Sequence, residues 1–498
     1  MTRRIASESP SDALAAPEWG RILIGRKRKQ FDDKSAFVGV DIAAFDTHTA
    51  ILAQSGSGKS TLLGRLIEEL ILKTRARFLI LDPNSDFSRL AEARRDREQW
   101  EYDREDELGL DGFADRWPSD DIHVLSAHRE QGDPIEVVWQ KVPSTLVTGE
   151  AEAWYRGQVV NCHEYFRTIS TLSSLKHGRE VTIHEALNEF DRSLESIEKI
   201  SGSQTPKRIH EKLSSLYDFD SVREVAKSLS IEIDELSEEY SALIATAVQA
   251  VSDFTSVARI FYRSQVSALA AQGILATHGH DSVVDATGGR ASNSRRVRVL
   301  DLPTISERDG QLLAVSSVLV DEWKHARRLF QIASKRKREV RSVARDATSA
   351  AGELRVPTFI VVEEAHNLVS GDSALERFLR AQFQQIAAEG RKYGLFLLLV
   401  SQRPDKIDER VISECGNTVV MRLSSEALAQ DVSRRIGLQR NALDEAVSFG
   451  IGEALLCGHW VRDLIEDDDD IGVRINCGVR RTPEGAPKIK ATDWIVGA

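Results

Sequence analysis

The sequence predicts an α/β fold built on a mostly parallel sheet, with a helical subdomain inserted into it. Three observations lead there. A glycine-rich loop sits between a short apolar strand and an amphipathic helix, two later apolar runs each end in polar residues, and the periodicity turns helical over the middle third of the chain.

In chain order, "TAILAQ" is a short strand, and "STLLGRLIEELILK" places Leu62, Leu66 and Leu70 on one face of a helix. "RARFLILD" returns as a second strand with Asp82 at its tip, completing a β–α–β unit of a sheet covered on both faces. A charged excursion runs from about Glu92 to Asp121, and "DIHVLSA" reads as a further strand. From about Glu150 the pattern is helical. Thr182 and Glu185 form a capping box ahead of Ile183, Leu187 and Phe190, and "YSALIATAVQAVSDFTSVARIFYRS" continues the helical period. Strands return at "RRVRVLDLP", "TFIVVEEAH", "GLFLLLVSQRP" and "NTVVMRL", with an amphipathic helix over Gln311–Phe330. The expected division is a short N-terminal segment (1–45), a first part of the core (46–148), a mostly helical insertion (149–290), a second part of the core (291–480) and a C-terminal tail (481–498).

Composition narrows the function. The 498 residues are 41% hydrophobic and 29% charged, an ordinary globular balance of two or three domains. The N-terminus lacks a signal-peptide core. The longest apolar run, Leu395–Val400, falls far short of the ~18 residues that span a bilayer. The four cysteines contain no C-x-x-C pair, and Cys162 beside His163 reads as structural. These features predict a cytoplasmic protein without a membrane partner. A net charge of −11 excludes a globally basic nucleic-acid binder, although basic runs occupy Arg26–Lys29 and Lys324–Arg345 and an acidic one Glu466–Asp470.

Ala53–Ser60 matches the Walker A pattern except that Ala53 stands at the first glycine. In such a loop the backbone N–H groups of Ser55, Gly56, Ser57, Gly58, Lys59, Ser60 and Thr61 wrap phosphate oxygens. Lys59 reaches the β- and γ-phosphates of ATP and the Ser60 hydroxyl holds Mg2+. "FIVVEEAH" supplies the matching acidic strand end: Glu363 for the metal shell and Glu364 as general base. "LLLVSQRP" puts Gln402 at another strand end, placed to sense the γ-phosphate, and "AAEGRKYG" offers Arg391 to a transferring phosphoryl group.

Together "AQSGSGKST", "LILDPNSDF", "VRVLDLP", "VVEEAHNL", "AAEGRKYGLFLLLVSQRP" and "GIGEALLCG" resemble, in order, the HerA–FtsK class of P-loop motors, the HerA branch most closely. The resemblance implies a RecA-like P-loop NTPase core in a homo-hexameric ring ATPase that moves along or grips double-stranded DNA. Arg391 would then act in trans on a neighbour's site. It also implies an effector partner, a NurA-type nuclease or a sirtuin-like protein of phage defence. The chain departs from the family at Ala53, at Glu363 in place of Asp, and at Asn84-Ser85 and Asp86-Phe87, where the family tends to show His-Gly and Glu-Tyr. Its N-terminal segment is too short for the family's β-barrel, so docking through a full barrel is not expected. A conjugation or secretion pump and an ATP-gated scaffold for an effector are the rival readings. An ABC ATPase is excluded by the lack of L-S-G-G-Q and a GTPase by the lack of N-K-x-D.

Overall fold

The computed structural model describes residues 21–27, 37–94, 113–128, 132–135, 137–139, 142, 144–148, 151–179, 181–198, 206–217, 256–271, 275–276, 296–340, 356–369, 371–464 and 471–485. Residues 1–20, most of the charged excursion, the helix expected over 240–255, the acidic run 466–470 and residues 486–498 lie outside them. The same holds for Arg28 and Lys29, for 341–345 and for the side chains of 335–340.

Twelve strands of the described residues form one sheet, ordered β2-β1-β14-β13-β12-β3-β11-β10-β4-β9-β5-β6. They are β1 (Arg21–Lys27), β2 (Phe37–Asp41), β3 (His48–Leu52), β4 (Arg77–Asp82), β5 (Ile122–Ser126), β6 (Asp133–Pro134), β9 (Val297–Asp301), β10 (Thr358–Val362), β11 (Leu395–Ser401), β12 (Cys415–Met421), β13 (Glu453–Gly458) and β14 (Val473–Cys477). The remaining two, β7 (Val137–Val138) and β8 (Leu275–Ala276), pair with each other. From β12 to β6 every neighbouring pair is parallel, and from β12 outward through β2 every pair is antiparallel. The mostly parallel sheet read from the sequence is therefore present, extended by an antiparallel edge.

Alternation along the strands explains why both faces are covered. Ile360, Val362, Leu397, Leu399, Leu79 and Leu81 enter one core, while Phe359, Val361, Phe396, Leu398, Phe78 and Ile80 enter the other. Helix α1 (Lys59–Lys73) packs into the second core through Leu62, Leu63, Leu66, Ile67 and Leu70. The middle third supplies α2 (Arg156–His177), α3 (Ile183–Glu198) and α4 (Ser256–Ala270). The capping box at α3 is formed, with Thr182 N–H donating to Glu185 at 2.8 Å and Glu185 N–H to Thr182 Oγ1 at 3.2 Å. These helices close on Trp139, Tyr165, Phe166, Phe190 and Tyr262, all fully buried and continuous with the first core. His163 belongs there as a core histidine, bonded through Nε2 to Val142 O at 2.7 Å. Helix α5 (Arg308–Val340) overruns the expected 311–330 at both ends, and α6 (Ala374–Tyr393) lies beside it. Among the described residues no helix is long and apolar enough to cross a membrane.

Candidate nucleotide site

The loop after β3 is held from three sides. Ala53 N–H donates to Ser401 O at 3.1 Å and Gln54 N–H to Arg422 O at 2.8 Å, fixing the loop's entry to the ends of β11 and β12. Gly452 N–H donates to Ser57 O at 2.8 Å, so the glycine-bounded segment before β13 backs the loop directly. Gly56 and Gly58 have φ of 71° and 94°, values an L side chain rarely adopts, and a Cβ on Gly58 would lie 3.2 Å from Gly452 N. Ala53 is fully buried at the end of the strand, ahead of the turn that needs left-handed backbone, so the substitution leaves the cradle intact. Ser55 and Gly56 are exposed at the mouth and Ser57 is buried. Thr61 is half-buried in the first turn of α1.

Two clusters face this loop. In the first, Lys59 Nζ is ion-paired with Glu364 Oε1, and both side chains are buried. Gln402 donates to the same carboxylate through its side-chain amide and, at 3.4 Å, through its backbone N–H. His366 Nδ1 lies 3.3 Å from Glu364 Oε2 and 3.2 Å from Ser401 Oγ. Glu364 has φ of +46°, uncommon for a residue with a side chain and concentrated at functional sites in general.

In the second cluster Ser60 Oγ donates to Asp86 Oδ2 at 2.8 Å and lies 3.4 Å from Glu363 Oε1. Glu363 is fully buried, and its other oxygen, Oε2, has no hydrogen-bond partner. Burial, and then the neighbouring Asp86 and Asp82 carboxylates, raise the Glu363 pKa well above the usual carboxylate range. Asp82, at the tip of β4, turns the following loop by accepting from Asn84, Asp86 and Phe87 N–H groups at 3.2, 3.1 and 2.7 Å. An orphaned buried carboxylate oxygen beside a hydroxyl and a second acid suits a hard divalent cation. No group of three or more His, Cys, Asp or Glu among the described residues forms a ready cage. Mg2+ takes one or two carboxylates and fills its shell with phosphate oxygens and water, and Glu363 and Asp86 both lie beside the Ser60 hydroxyl.

Lys59, Ser60, Glu363, Glu364 and Gln402 thus converge at the loop, while Arg391 does not. It is exposed in the last turn of α6, before β11 begins, and Gln402 follows that strand's end. Seven residues of strand separate the two, roughly 20 Å. Within one chain Arg391 therefore lies at the opposite, N-terminal end of the central strands. The sequence reading passed over Asp86 as a site residue and Gly452 as a loop support. Each carried a faint signal: Asp86 is an acid four residues past the tip of the strand beside β10, and Gly452 lies in the "GIGEALLCG" block, although 395 positions from Ser57 (452 − 57).

A family model described as "Helicase HerA, central domain" matches residues 23–322. A DNA double-strand break repair helicase HerA of Pyrococcus furiosus is 29% identical over 175 residues, 33% of this chain and 31% of that protein. A probable helicase of Methanocaldococcus jannaschii is 23% identical over 424 residues, 82% of this chain and 63% of that one. The match to each thus spans less than two thirds of the relative's length. Among solved structures, VirB4 of Thermoanaerobacter pseudethanolicus aligns with a TM-score of 0.40 at 16% identity, covering 95% of this chain and 98% of that one.

Proposed function

Because the chain belongs to the family of HerA helicase central domains, we propose that it is the ATP-hydrolysing motor of a ring that moves along or grips duplex DNA. The observation that carries this reading is the convergence of Lys59, Glu364 and Gln402 on one side of the loop with Ser60, Asp86 and Glu363 on the other.

On this reading the backbone N–H groups of the loop and Lys59 bind the phosphates. Ser60 and Glu363 would hold Mg2+, which would supply neutralisation of the phosphate charge. Lys59 exchanges Glu364 for phosphate, leaving that carboxylate to take a proton. The water oxygen bonds to the terminal phosphorus, its proton passes to Glu364, and the bond to the bridging oxygen breaks, releasing ADP and phosphate. Gln402, already bonded to Glu364, orients that water. Arg391, at the far end of the central strands, supplies positive charge to the site of the next subunit in a homo-hexamer. The ring works in the cytoplasm with an effector, a NurA-type nuclease or a sirtuin-like protein, in repair or phage defence.

The test is ATP turnover by the purified chain with and without duplex DNA. Stimulation by duplex, together with DNA binding that weakens steeply as salt rises, is expected. Turnover indifferent to DNA and no binding at low salt, with the partner present, refute the motor.

A further inference from the structure

We propose that residues 478–485 form a strap that positions Asp86 as the second acid of the metal shell, and that Arg480 is the positioning residue within it. The proposal rests on the ATP–Mg2+ reading of the loop and adds to it a control element from the other end of the chain.

Arg480 is buried, and its guanidinium bridges the strap and the site loop. Its Nη2 donates to Asp86 O at 2.9 Å and to Pro483 O at 3.1 Å, and its guanidinium lies 4.5 Å over the Phe87 ring. Gly485 N–H donates to the same Asp86 carbonyl at 3.2 Å. The main chain of Asp86 is thus gripped twice from the strap while its carboxylate accepts from Ser60 at 2.8 Å.

The strap itself is anchored to α1. Glu68, fully buried, accepts from Arg481 N–H at 2.9 Å, from Thr482 N–H at 2.7 Å, from Thr482 Oγ1 at 2.8 Å and from Arg481 Nε at 3.1 Å. Arg481 Nη2 reaches Glu69 at 2.7 Å. Thr482 Oγ1 also accepts from Arg480 Nε at 3.0 Å, so hydrogen bonds run unbroken from Glu68 through Thr482 and Arg480 to Asp86.

Gly64 explains how Arg480 gets there. Inside a helix a glycine costs about 1 kcal/mol relative to alanine. Here a Cβ would come within 2.3 Å of Arg480 Cδ, so the missing side chain is the groove through which the arginine crosses α1. The helix that begins at Lys59 and Ser60 therefore carries both the metal-shell hydroxyl and the passage for the residue that sets its acidic partner. Staples that only join a tail to a core need neither the groove nor the bonds to Asp86.

The test uses the full chain, ADP and Mn2+ in place of Mg2+. Mn2+ uptake is read from the loss of its free-ion electron paramagnetic resonance signal, and metal-free ADP binding is read by calorimetry in chelator. Asp86→Asn is expected to weaken Mn2+ in the ADP complex about 10-fold, and Arg480→Ala to do the same, as losses in outer-shell support do. Metal-free ADP binding should stay within about twofold in Arg480→Ala, because Arg480 bonds Asp86 through the main chain and touches no residue of the phosphate loop. The double variant should bind Mn2+ no more weakly than Asp86→Asn alone. Gly64→Ala keeps every charge, suits a helix and displaces only the arginine stem, so it should reproduce the Arg480→Ala loss. Wild-type Mn2+ affinity in both Arg480→Ala and Gly64→Ala, or additive losses in the double variant, overturn the strap's role. A wild-type chain that binds no ADP at all sinks the nucleotide-site reading instead, an outcome distinct from either.

Discussion

Nucleotide has a competitor inside the protein. Lys59 is paired with a buried carboxylate, Glu364, and on the proposed reading leaves it to reach phosphate. Substituting Glu364→Gln removes the charge but keeps the shape and an oxygen for Gln402. A hydrogen bond to a charged group contributes about 1.5–3 kcal/mol net. Of the carboxylate's contacts with Lys59, Gln402 and His366, only the Lys59 arm has to break when phosphate enters. Taking the lower end of that range, about 1.5 kcal/mol, the variant should bind ADP roughly tenfold more tightly than wild type. The same substitution should abolish turnover, because no group remains to accept the proton. Fluorescent-ADP titration at equilibrium, with and without Mg2+, checks the affinity, and phosphate release checks the turnover. ADP affinity equal to or weaker than wild type would falsify the competition and remove the ion pair from the cycle.

Other outcomes follow from the same geometry. Gly452→Ala puts an L side chain at the φ of 78° from which the Gly452 N–H supports Ser57 O. That angle costs an L residue roughly 1–2 kcal/mol, so nucleotide binding should weaken about tenfold while the far-ultraviolet circular dichroism stays unchanged. Arg391→Ala should leave ADP affinity as it is and eliminate turnover; wild-type turnover would remove it from catalysis. Burial lowers His48 and His163 from 6.5 to about 4. A histidine whose folded pKa is depressed is neutral in both states at neutral pH, and below 6.5 only the unfolded chain takes up its proton. Stability should therefore fall between roughly pH 6.5 and pH 4, by about 2 kcal/mol per histidine at about pH 5. Denaturant titrations at several pH values read that loss, and a flat profile across the window would show the rings are not held neutral.

Most of the parallel core was legible in the sequence because its signals are local. A strand buried on both faces shows as an unbroken apolar run, and the phosphate loop announces itself by glycine, lysine and serine at fixed spacing. Lys59, Glu364 and Gln402 could be read for the same reason, each marking the end of an element. The antiparallel edge was less visible: "RILIGRK" and "VRINC" are short, and besides their neighbours β2 and β13 they pair with each other across more than four hundred residues. Asp86 and Arg480 escaped for a related reason. Nothing near Arg480 in sequence distinguishes it from a surface arginine, and its role exists only where the strap crosses Gly64. Arg391 shows the converse, since its motif is plain in the sequence but its place at the N-terminal end of the central strands becomes visible only in the folded sheet.

The place of β3 between β11 and β12 bears on how the chain is made. The loop strand ends at Leu52, but its first partner begins at Leu395, 343 residues later (395 − 52). At about 5–20 residues per second, a growing chain carries an unpaired apolar strand and an unsupported loop for about 20–70 s. During that time there is nothing for ATP to bind against, because Ser401, Arg422 and Gly452, which hold the loop, have yet to be synthesised. On the proposed reading, a chain that stops short of Gly452 is born without a finished site. The same delay leaves β3 open to wrong strand partners until β11 and β12 have followed.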